Sequence, residues 1–368
     1  MQPSNELLHT IALSLLPGVG HITARKILQT SGTSTEFFNE LKKGSFKEFK
    51  QRWLRDHNVK ETLILAEREL ENIRKHNINC LTIHDPDYPR RLNACDDGPI
   101  VLYTRGEMDL NAPRFVALVG TRKATPYGIR ATEELVDQLK THQCTLISGL
   151  AYGIDTTAHR AARDAGIQNI AALAHGLDRV YPSVNKNLAR SMESFGGLVS
   201  DFPTGTKPDR VNFPIRNRII AGLADAVVVV EAATSGGALI TADIATSYHR
   251  DVFAVPGRVT DDYSNGCNLL IRNNRAAILT AAKDLSWHLG WKSSQKQTAS
   301  VQTKIQIDLS ENEELLLKLV RQGIQELDQI LRNTEMSINH VTAGLLSLEF
   351  KGMIKALPGK SWQITGNG

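Results

Sequence analysis

Residues 114–130 read RFVALVGTRKATPYGIR, in which an apolar run is followed by Gly120 and then by a short polar segment. Glycine lets the chain leave a strand in a tight turn. Thr125 and Pro126 have the residue types that cap a helix and occupy its first position. The segment therefore predicts a buried strand, a tight loop and a helix, which together form the first unit of an α/β sheet.

Further apolar runs follow at helix-length intervals: CTLIS, NIAALA, GLVSDF, AVVVVEA, DVFAV and AAIL. Strands that are buried on both faces by crossover helices require this alternation. Residues 114–285 therefore predict an open, mostly parallel, doubly wound sheet. Sheets of this type bind ligands at the carboxyl ends of their strands.

The segments that flank the sheet have different patterns. Residues 1–75 predict a small helical domain, because apolar residues recur there with helical spacing. Strand and turn patterns begin near residue 80, so we place the sheet domain at residues 76–290. Residues 291–306 are rich in Gln, Ser, Thr and Lys and predict a linker. Residues 307–368 predict three helices and a terminal hairpin, the layout of a winged-helix domain.

The composition is that of a globular protein with two or three domains. Of the 368 residues, 41% are hydrophobic and 22% are charged, and the formal net charge is +4. There is no run of 18 apolar residues and no signal-peptide pattern, so we expect an unanchored cytoplasmic protein. The four cysteines lie far apart without metal-ligand spacing, which predicts neither disulfides nor structural zinc.

The loop after the first strand lacks the glycine pattern of dinucleotide-binding proteins. Arg122 stands where the second glycine of that pattern is required, and the next strand ends in Ser148 and Gly149 rather than in an acidic residue. These departures disfavour a nicotinamide or flavin, and we expect neither a cofactor nor a metal. Arg122 and Lys123 instead place cations beside a loop whose backbone amides can hold a phosphate.

Residues 197–245 contain the densest group of candidate binding residues. Four cations accompany an aromatic and an amide side chain in the set Lys207, Arg210, Phe213, Arg216, Asn217 and Arg218. A cationic groove with an aromatic ring on which a base can stack is a recurrent way to bind single-stranded nucleic acid. The alternative is that Phe213 and Pro214 fill a gap in the core while the arginines cap carbonyl groups. For the group as a whole we favour binding.

A second candidate loop follows the strand AVVVVEA. Ser235, Gly236 and Gly237 open the next predicted helix and offer another group of backbone amides for a phosphate. Glu231 ends the strand at the same edge and keeps an enzyme alternative open. Because no second acid or nucleophile lies beside it in the sequence, we favour a role in orienting an arginine.

Three more titratable residues follow strand ends and could be taken for acid–base groups. Asp155 is favoured as a cap of the helix after the second strand, and His159 as a packed or hydrogen-bonded side chain of that helix. His175 is likewise expected to be structural.

The sequence resembles the DNA-processing protein A family, also called DprA or Smf, over residues 90–270. The resemblance rests on an ordered set of motifs: VGTR (119–122), SGLAYGIDTTAH (148–159), HGLDRVYP (175–182), FPIRNRIIAGLA (213–224), VVVVEAATSGGALITA (227–242) and FAVPGRVTDDYSNGCNLLI (253–271). It implies an extended Rossmann-like domain and a non-enzymatic protein that binds single-stranded DNA in natural transformation. It also implies loading of the RecA recombinase and a homodimer formed through residues 253–285.

The resemblance and the cation cluster together predict one DNA-binding set on the loops at the strand ends. It comprises Gly120, Thr121, Arg122, Ser148, Gly149, Lys207, Arg210, Phe213, Arg216, Asn217, Arg218, Ser235, Gly236 and Gly237. The alternative function is a phosphoribohydrolase that cleaves nucleoside monophosphates on a related fold. In those enzymes the glycine-rich signature ends in an acidic residue, whereas here the glycine pair follows Glu231.

The terminal domains carry weaker signals. Residues 15–28, LLPGVGHITARKIL, resemble a helix-hairpin-helix that presents amides to duplex phosphates, and a tight turn without a ligand is an equal alternative. Residues 307–368 hold six Lys and Arg against eight Asp and Glu. This acidity predicts a protein-contact or weak DNA-binding role for the winged helix, and it disfavours a transcription regulator.

Overall fold

The computed structural model describes residues 5–43, 59–291, 309–357 and 361–364. The chain forms two compact units, residues 1–294 and 295–368. None of the described helices combines the length and the apolar character that crossing a membrane requires.

The first unit starts with helices that pack on the sheet. They are α1 (Asn5–Leu15), α2 (His21–Ser31), α3 (Ser34–Lys43) and α4 (Val59–Lys75). Ile11 and Phe37 of these helices belong to one hydrophobic cluster with Val101 and Leu198 of the sheet. The helices predicted in residues 1–75 are confirmed, and they lie in the same compact unit as the sheet. The domain boundary after residue 75 stays a prediction.

A sheet of nine described strands forms the centre of the unit. The strands are β1 (Asn79–Thr82), β2 (Val101–Arg105), β3 (Phe115–Val119), β4 (Thr145–Ser148), β5 (Asn169–Ala172), β6 (Gly196–Ser200), β7 (Ala226–Val229), β8 (Asp251–Ala254) and β9 (Ala277–Ile278). Their order is β1-β2-β6-β5-β4-β3-β7-β8-β9. The strands from β6 to β9 in this order are parallel, and β1 and β2 add an antiparallel extension. The predicted doubly wound, mostly parallel sheet is confirmed.

Helices cover both faces of this sheet. They are α5 (Arg90–Asn93), α6 (Pro126–Leu139), α7 (Ile154–Ala165), α8 (Lys186–Met192), α9 (Asn212–Leu223), α10 (Gly237–Ser247), α11 (Asn265–Arg272) and α12 (Ala282–His288). In β3, Phe115 and Ala117 belong to one hydrophobic cluster, whereas Val116 and Leu118 belong to another. Successive side chains of a strand point to opposite faces, so burial on both faces explains the continuous apolar runs of the sequence.

The second unit has the predicted winged-helix layout. Its elements are α13 (Glu311–Arg321), α14 (Leu327–Arg332), α15 (Ile338–Phe350), β10 (Ile354–Leu357) and β11 (Ser361–Ile364). Leu316, Val341 and Leu345 are buried in its own core, and β10 pairs antiparallel with β11. The turn at 358–360 and most of the predicted linker, from residue 292 onwards, lie outside the described residues.

Candidate nucleic-acid interface

The loops after β3 and β7 meet at the carboxyl edge of the sheet. Val119 at the end of β3 pairs with Val229 at the end of β7. Beyond this pair, the amide of Thr121 donates to the carbonyl of Glu231 at 2.8 Å. Because β4 lies on one side of this pair and β8 on the other, this is the switch point at which open α/β sheets bind ligands. A cavity of about 280 Å³ opens here. Its walls include the predicted residues Gly120, Thr121, Arg122, Phe213, Arg216, Asn217, Ser235, Gly236 and Gly237.

Glu231 organises the start of α6. Its buried carboxylate accepts hydrogen bonds from the amide of Thr125 at 3.0 Å and from the hydroxyl of the same residue. Thr125 Oγ1 also accepts from the amide of Gly128, so the predicted cap at Thr125 and Pro126 is confirmed. The interpretation that Glu231 orients an arginine is corrected, since these bonds hold the helix-capping threonine instead.

Arg122 and Phe213 form the exposed mouth of the cavity. The guanidinium carbon of Arg122 lies 4.8 Å from the centroid of the Phe213 ring, within the range of a cation–π contact. Arg122 is exposed, whereas Phe213 is half-buried. This pair therefore joins a positive charge and an aromatic surface at one point of the strand-end edge.

Arg216 lines the cavity but is almost fully buried, with 4% of its surface exposed. Its Nη1 donates to the carbonyls of Gly149 and Ala172 at 2.6 and 2.5 Å, which ties together the loop after β4 and the end of β5. A side chain at position 149 would meet the guanidinium, since its Cβ would lie 2.3 Å from Arg216 Nη1. Burial lowers the pKa of Arg216 to about 10, and Asp155 opposes this shift, so the group stays cationic at neutral pH. For Arg216, the structure agrees with the alternative in which the arginines cap carbonyl groups.

The remaining predicted cations differ in their surroundings. Arg218 donates to Asp97 at 3.0 Å and is only partly exposed. Lys207 and Arg210 are exposed on the loop that leads into α9, outside the cavity walls. The structure thus leaves three of these cations open to a ligand, namely Arg122, Lys207 and Arg210.

The polar and glycine residues of the predicted set also include both buried and exposed members. Ser148 is fully buried and its hydroxyl donates to the carbonyl of Leu118 at 2.6 Å. We therefore interpret Ser148 as a support of the loop and not as a ligand contact. Asn217 is buried and donates to the carbonyl of Gly237 at 3.3 Å. Ser235, Gly236 and Gly237 form an exposed turn, in which Gly236 has a φ of 150°, a value that favours glycine.

Asp155 differs in detail from the sequence-based interpretation. It lies in the first turn of α7, and its Oδ2 accepts from the amides of Gly149 and Ala151 at 3.2 and 3.3 Å. Both amides precede the helix, so Asp155 ties down the loop after β4 and does not cap α7. His175 is 1% exposed and contacts the carbonyl of Gly176 through Nδ1, in agreement with its predicted structural role.

His159 is also structural, as predicted. Its Nε2 accepts from the amide of Leu150 at 3.2 Å, and its Nδ1 lies 2.6 Å from Oδ1 of Asn169. These contacts occupy both ring nitrogens of the neutral imidazole. His159 therefore has no free nitrogen for catalysis.

We expect His159 to make stability depend on pH. Burial lowers its pKa to about 4, although the hydrogen bond to Asn169 opposes the shift, whereas the pKa in an unfolded chain is about 6.5. The contribution to stability is therefore complete above pH 6.5 and is lost as the pH falls towards 4. Urea unfolding of His159→Gln should depend less on pH in this window than unfolding of the parent protein. The exposed His249→Gln is the control, and an unchanged slope in His159→Gln would contradict the assignment.

Two exposed aromatic residues near the site were not predicted. Tyr181 is 44% exposed, and its ring centroid lies 6.4 Å from that of Phe213. Tyr152 is 49% exposed and follows Ala151, a residue of the cavity wall. Both lie in loops between a strand and a helix. That position was the signal available in the sequence.

The hairpin between α1 and α2 has the turn expected from its glycines. Gly18 has a φ of 78°, in the left-handed region that favours glycine. Gly18, Gly20 and Lys26 are exposed. Binding of a duplex phosphate by this hairpin stays a prediction.

The family model of DNA recombination-mediator protein A matches residues 79–290. The chain belongs to this family. The DprA winged-helix model matches residues 302–360, which lie in the second compact unit. Membership supports a DNA-processing, recombination-mediator role.

Curated relatives agree with the assignment to the DprA family. The Smf protein of Synechocystis is 36% identical over 326 residues, which cover 80% of this chain and 82% of the relative. The DNA processing protein DprA of Bacillus subtilis is 39% identical over 215 residues, which cover 58% of this chain and 72% of the relative.

Two solved DprA structures are similar in fold. That of Streptococcus pneumoniae DNA processing protein A has a TM-score of 0.62 at 30% identity, covering 76% of this chain and 96% of the other. That of the Helicobacter pylori protein, described for its single-stranded DNA binding mode, has a TM-score of 0.52 at 27% identity, covering 58% of this chain and 95% of the other.

Proposed function

We propose that this DprA family member binds single-stranded DNA along the carboxyl edge of its sheet. It then passes the strand to the RecA recombinase without cleaving it. The observation that carries this proposal is the pairing of exposed Arg122 with Phe213 at the mouth of the switch-point cavity. A guanidinium attracts a phosphate and an aromatic ring accepts a base, and the two groups lie here within one nucleotide's reach.

The surroundings of this pair favour an unpaired strand. The exposed turn of Ser235, Gly236 and Gly237 offers backbone amides beside the cavity, and Lys207 and Arg210 add two exposed charges. Amides and cations attract the sugar–phosphate backbone of any sequence. A ring can stack only on a base whose face is accessible, and a duplex keeps those faces stacked inside, so Phe213 favours single strands.

Tyr181 extends the aromatic surface beyond Phe213. The Tyr181 ring centroid lies 6.4 Å from that of Phe213, and 44% of the surface of Tyr181 is exposed. We therefore include Tyr181 as a second stacking residue, adjacent to the first. Two neighbouring rings would hold consecutive bases, which increases affinity without reading the sequence.

The position of Glu231 disfavours the phosphoribohydrolase alternative. Such an enzyme needs an acidic group that reaches the glycosidic bond of a bound nucleotide. Glu231 is 1% exposed and its carboxylate is engaged by Thr125. We therefore propose that the protein binds nucleic acid and does not hydrolyse it.

Fluorescence anisotropy across a salt series tests the proposed function. A labelled oligo-dT, a matched duplex and a mononucleotide are compared, and the oligo-dT should bind tightest with a steep loss of affinity as salt rises. Release of base from the mononucleotide, or preferred binding of a duplex of particular sequence, would overturn the proposal. Adding RecA should give faster RecA assembly on the oligonucleotide, and a failure of this step alone would remove only the recombinase partner.

We also propose a homodimer formed through residues 253–285. A cavity of about 490 Å³ at the β9 edge is lined by Phe253, Ile278 and Trp287, among others, and Ile278 and Trp287 are 52% and 84% exposed. Apolar side chains beside an edge strand are typical of an interface. We expect Ile278→Arg to shift the protein towards monomer in analytical ultracentrifugation, whereas Leu65→Arg, at another exposed apolar position, should not. Equal behaviour of the two variants would contradict this interface.

The winged-helix unit is proposed to contact protein rather than to bind DNA strongly. Its last helix, α15, exposes Ile338, Leu346 and Phe350 to 55%, 52% and 85%. These residues lie eight and four positions apart and therefore share one face of the helix. A recognition helix that inserts into a major groove would carry cations on such a face.

A further inference from the structure

The loop of residues 201–211, here called the site loop, joins β6 to α9 and carries Lys207 and Arg210. None of its residues is fully buried. The half that carries the cations is mostly exposed, so the polar contacts of the loop contribute to where the two cations lie.

The strongest of these contacts comes from α4, in the N-terminal helices. The amide of Thr204 donates to Glu69 Oε1 at 2.8 Å, and the Thr204 hydroxyl donates to Glu69 Oε2 at 2.5 Å. Glu69 is only 4% exposed. A buried carboxylate is costly unless its oxygens are hydrogen-bonded, so this side chain is stable where it lies because Thr204 satisfies it.

Two more contacts fix the same half of the loop. Asp201 lies 3.0 Å from Nε2 of His21, at the start of α2, and the amide of Gly205 donates to Asp178 at 3.0 Å. Burial raises the pKa of Glu69, and the charge of nearby Asp178 adds to this shift. The amino-terminal half of the site loop is thus bound to the N-terminal helices, while Lys207 and Arg210 project from the other half.

We propose that Glu69 is a positioning residue for DNA binding, which holds the site loop so that Lys207 and Arg210 face the strand. The inference rests on the proposed function, because it assigns those two cations to the same DNA. It gives the N-terminal helices a part in affinity that requires no contact between them and the nucleic acid. Each ordered phosphate contact contributes about one unit to the salt slope.

The central comparison is Glu69→Ala against Glu71→Ala, in the full chain. Glu71 is exposed on the same helix, so both variants remove one negative charge. Loss of that charge alone should leave oligo-dT affinity equal or slightly higher. We expect Glu71→Ala to behave in this way, and Glu69→Ala to bind about tenfold more weakly with a smaller salt slope, because two cations lose their fixed positions.

Two more variants separate positioning from general destabilisation. Glu69→Gln can still accept from the Thr204 amide and donate to its hydroxyl, and should restore most of the affinity. Thr204→Val removes one hydrogen bond at the loop without altering α4, and should weaken binding about threefold. If Glu69→Ala does not fold, Thr204→Val alone carries the test against Glu71→Ala.

A double-mutant cycle tests the link to the cations directly. Arg210→Ala should weaken binding in the parent protein and much less in Glu69→Ala, because the charge is already displaced there. Hydrogen exchange without DNA should show faster exchange of the Thr204 amide in Glu69→Ala than in Glu71→Ala. Equal affinity and equal exchange in these two variants would overturn the inference.

Arg122→Ala distinguishes this failure from failure of the proposed function. If Arg122→Ala weakens binding while Glu69→Ala and Glu71→Ala remain alike, only the positioning role is lost. If oligo-dT does not bind the parent protein, or if Arg122→Ala binds as the parent does, the binding site itself is wrong.

Discussion

Replacing Arg216 with methionine should lower the free energy of unfolding by about 3–5 kcal/mol, the cost of removing one partner from a buried charged network. Arg216 donates to the carbonyls of Gly149 and Ala172. Its charge also opposes the desolvation that raises the pKa of buried Asp155. The variant leaves two carbonyls without their donor and a buried carboxyl without its cation, and methionine can replace none of these interactions.

Urea unfolding of residues 1–294 measures this loss within one compact unit. Arg218→Met is the matched control, since Arg218 is two positions away on the same helix and its side chain is 30% exposed. Its ion pair with Asp97 should contribute at most about 1 kcal/mol. If the two variants are equally stable, the burial of Arg216 does not support the strand ends as described.

The contrast between Arg216 and Arg218 also shows what could not be predicted from the sequence. The pattern FPIRNR identifies a cationic segment at a strand end, but not which of its arginines is buried. The carbonyl groups that hold Arg216 belong to residues 67 and 44 positions away, so no local signal marks it. A charged residue is expected at the surface, and only a packed network of distant partners overrides that expectation.

Features that depend on neighbouring residues were predictable. The cap at Thr125, the apolar runs of the sheet and the three helices and hairpin of the second unit all follow from local spacing, and the structure has each of them. The partners of Glu231 and Glu69 were not predictable. Each carboxylate is held by a threonine more than 100 residues away, and the sequence around it reads as an ordinary strand end or helix.

Arg122→Ala and Phe213→Ala should weaken oligo-dT binding in different ways. Arg122→Ala removes a phosphate contact and should lower the salt slope by about one unit. Phe213→Ala removes a stacking surface that contributes about 1–3 kcal/mol, which corresponds to a loss of about 5- to 160-fold. Its salt slope should fall by less than that of Arg122→Ala, because the Arg122 charge is still present. Anisotropy titrations at several salt concentrations separate the two effects. Lys140→Ala is the charge control, because Lys140 follows the end of α6, at the opposite edge of the sheet from the proposed site.

The contact between Arg122 and Phe213 predicts that the effects of the two substitutions are coupled. The Arg122 guanidinium lies 4.8 Å from the Phe213 centroid, so each helps to hold the other in place for the strand. The double variant should therefore lose less affinity than the sum of the two single losses. If Arg122→Ala retains the parent slope while Lys140→Ala lowers it, the DNA path lies elsewhere. If the two affinity losses are strictly additive, phosphate and base are bound independently, and Arg122 and Phe213 do not act together at the switch point.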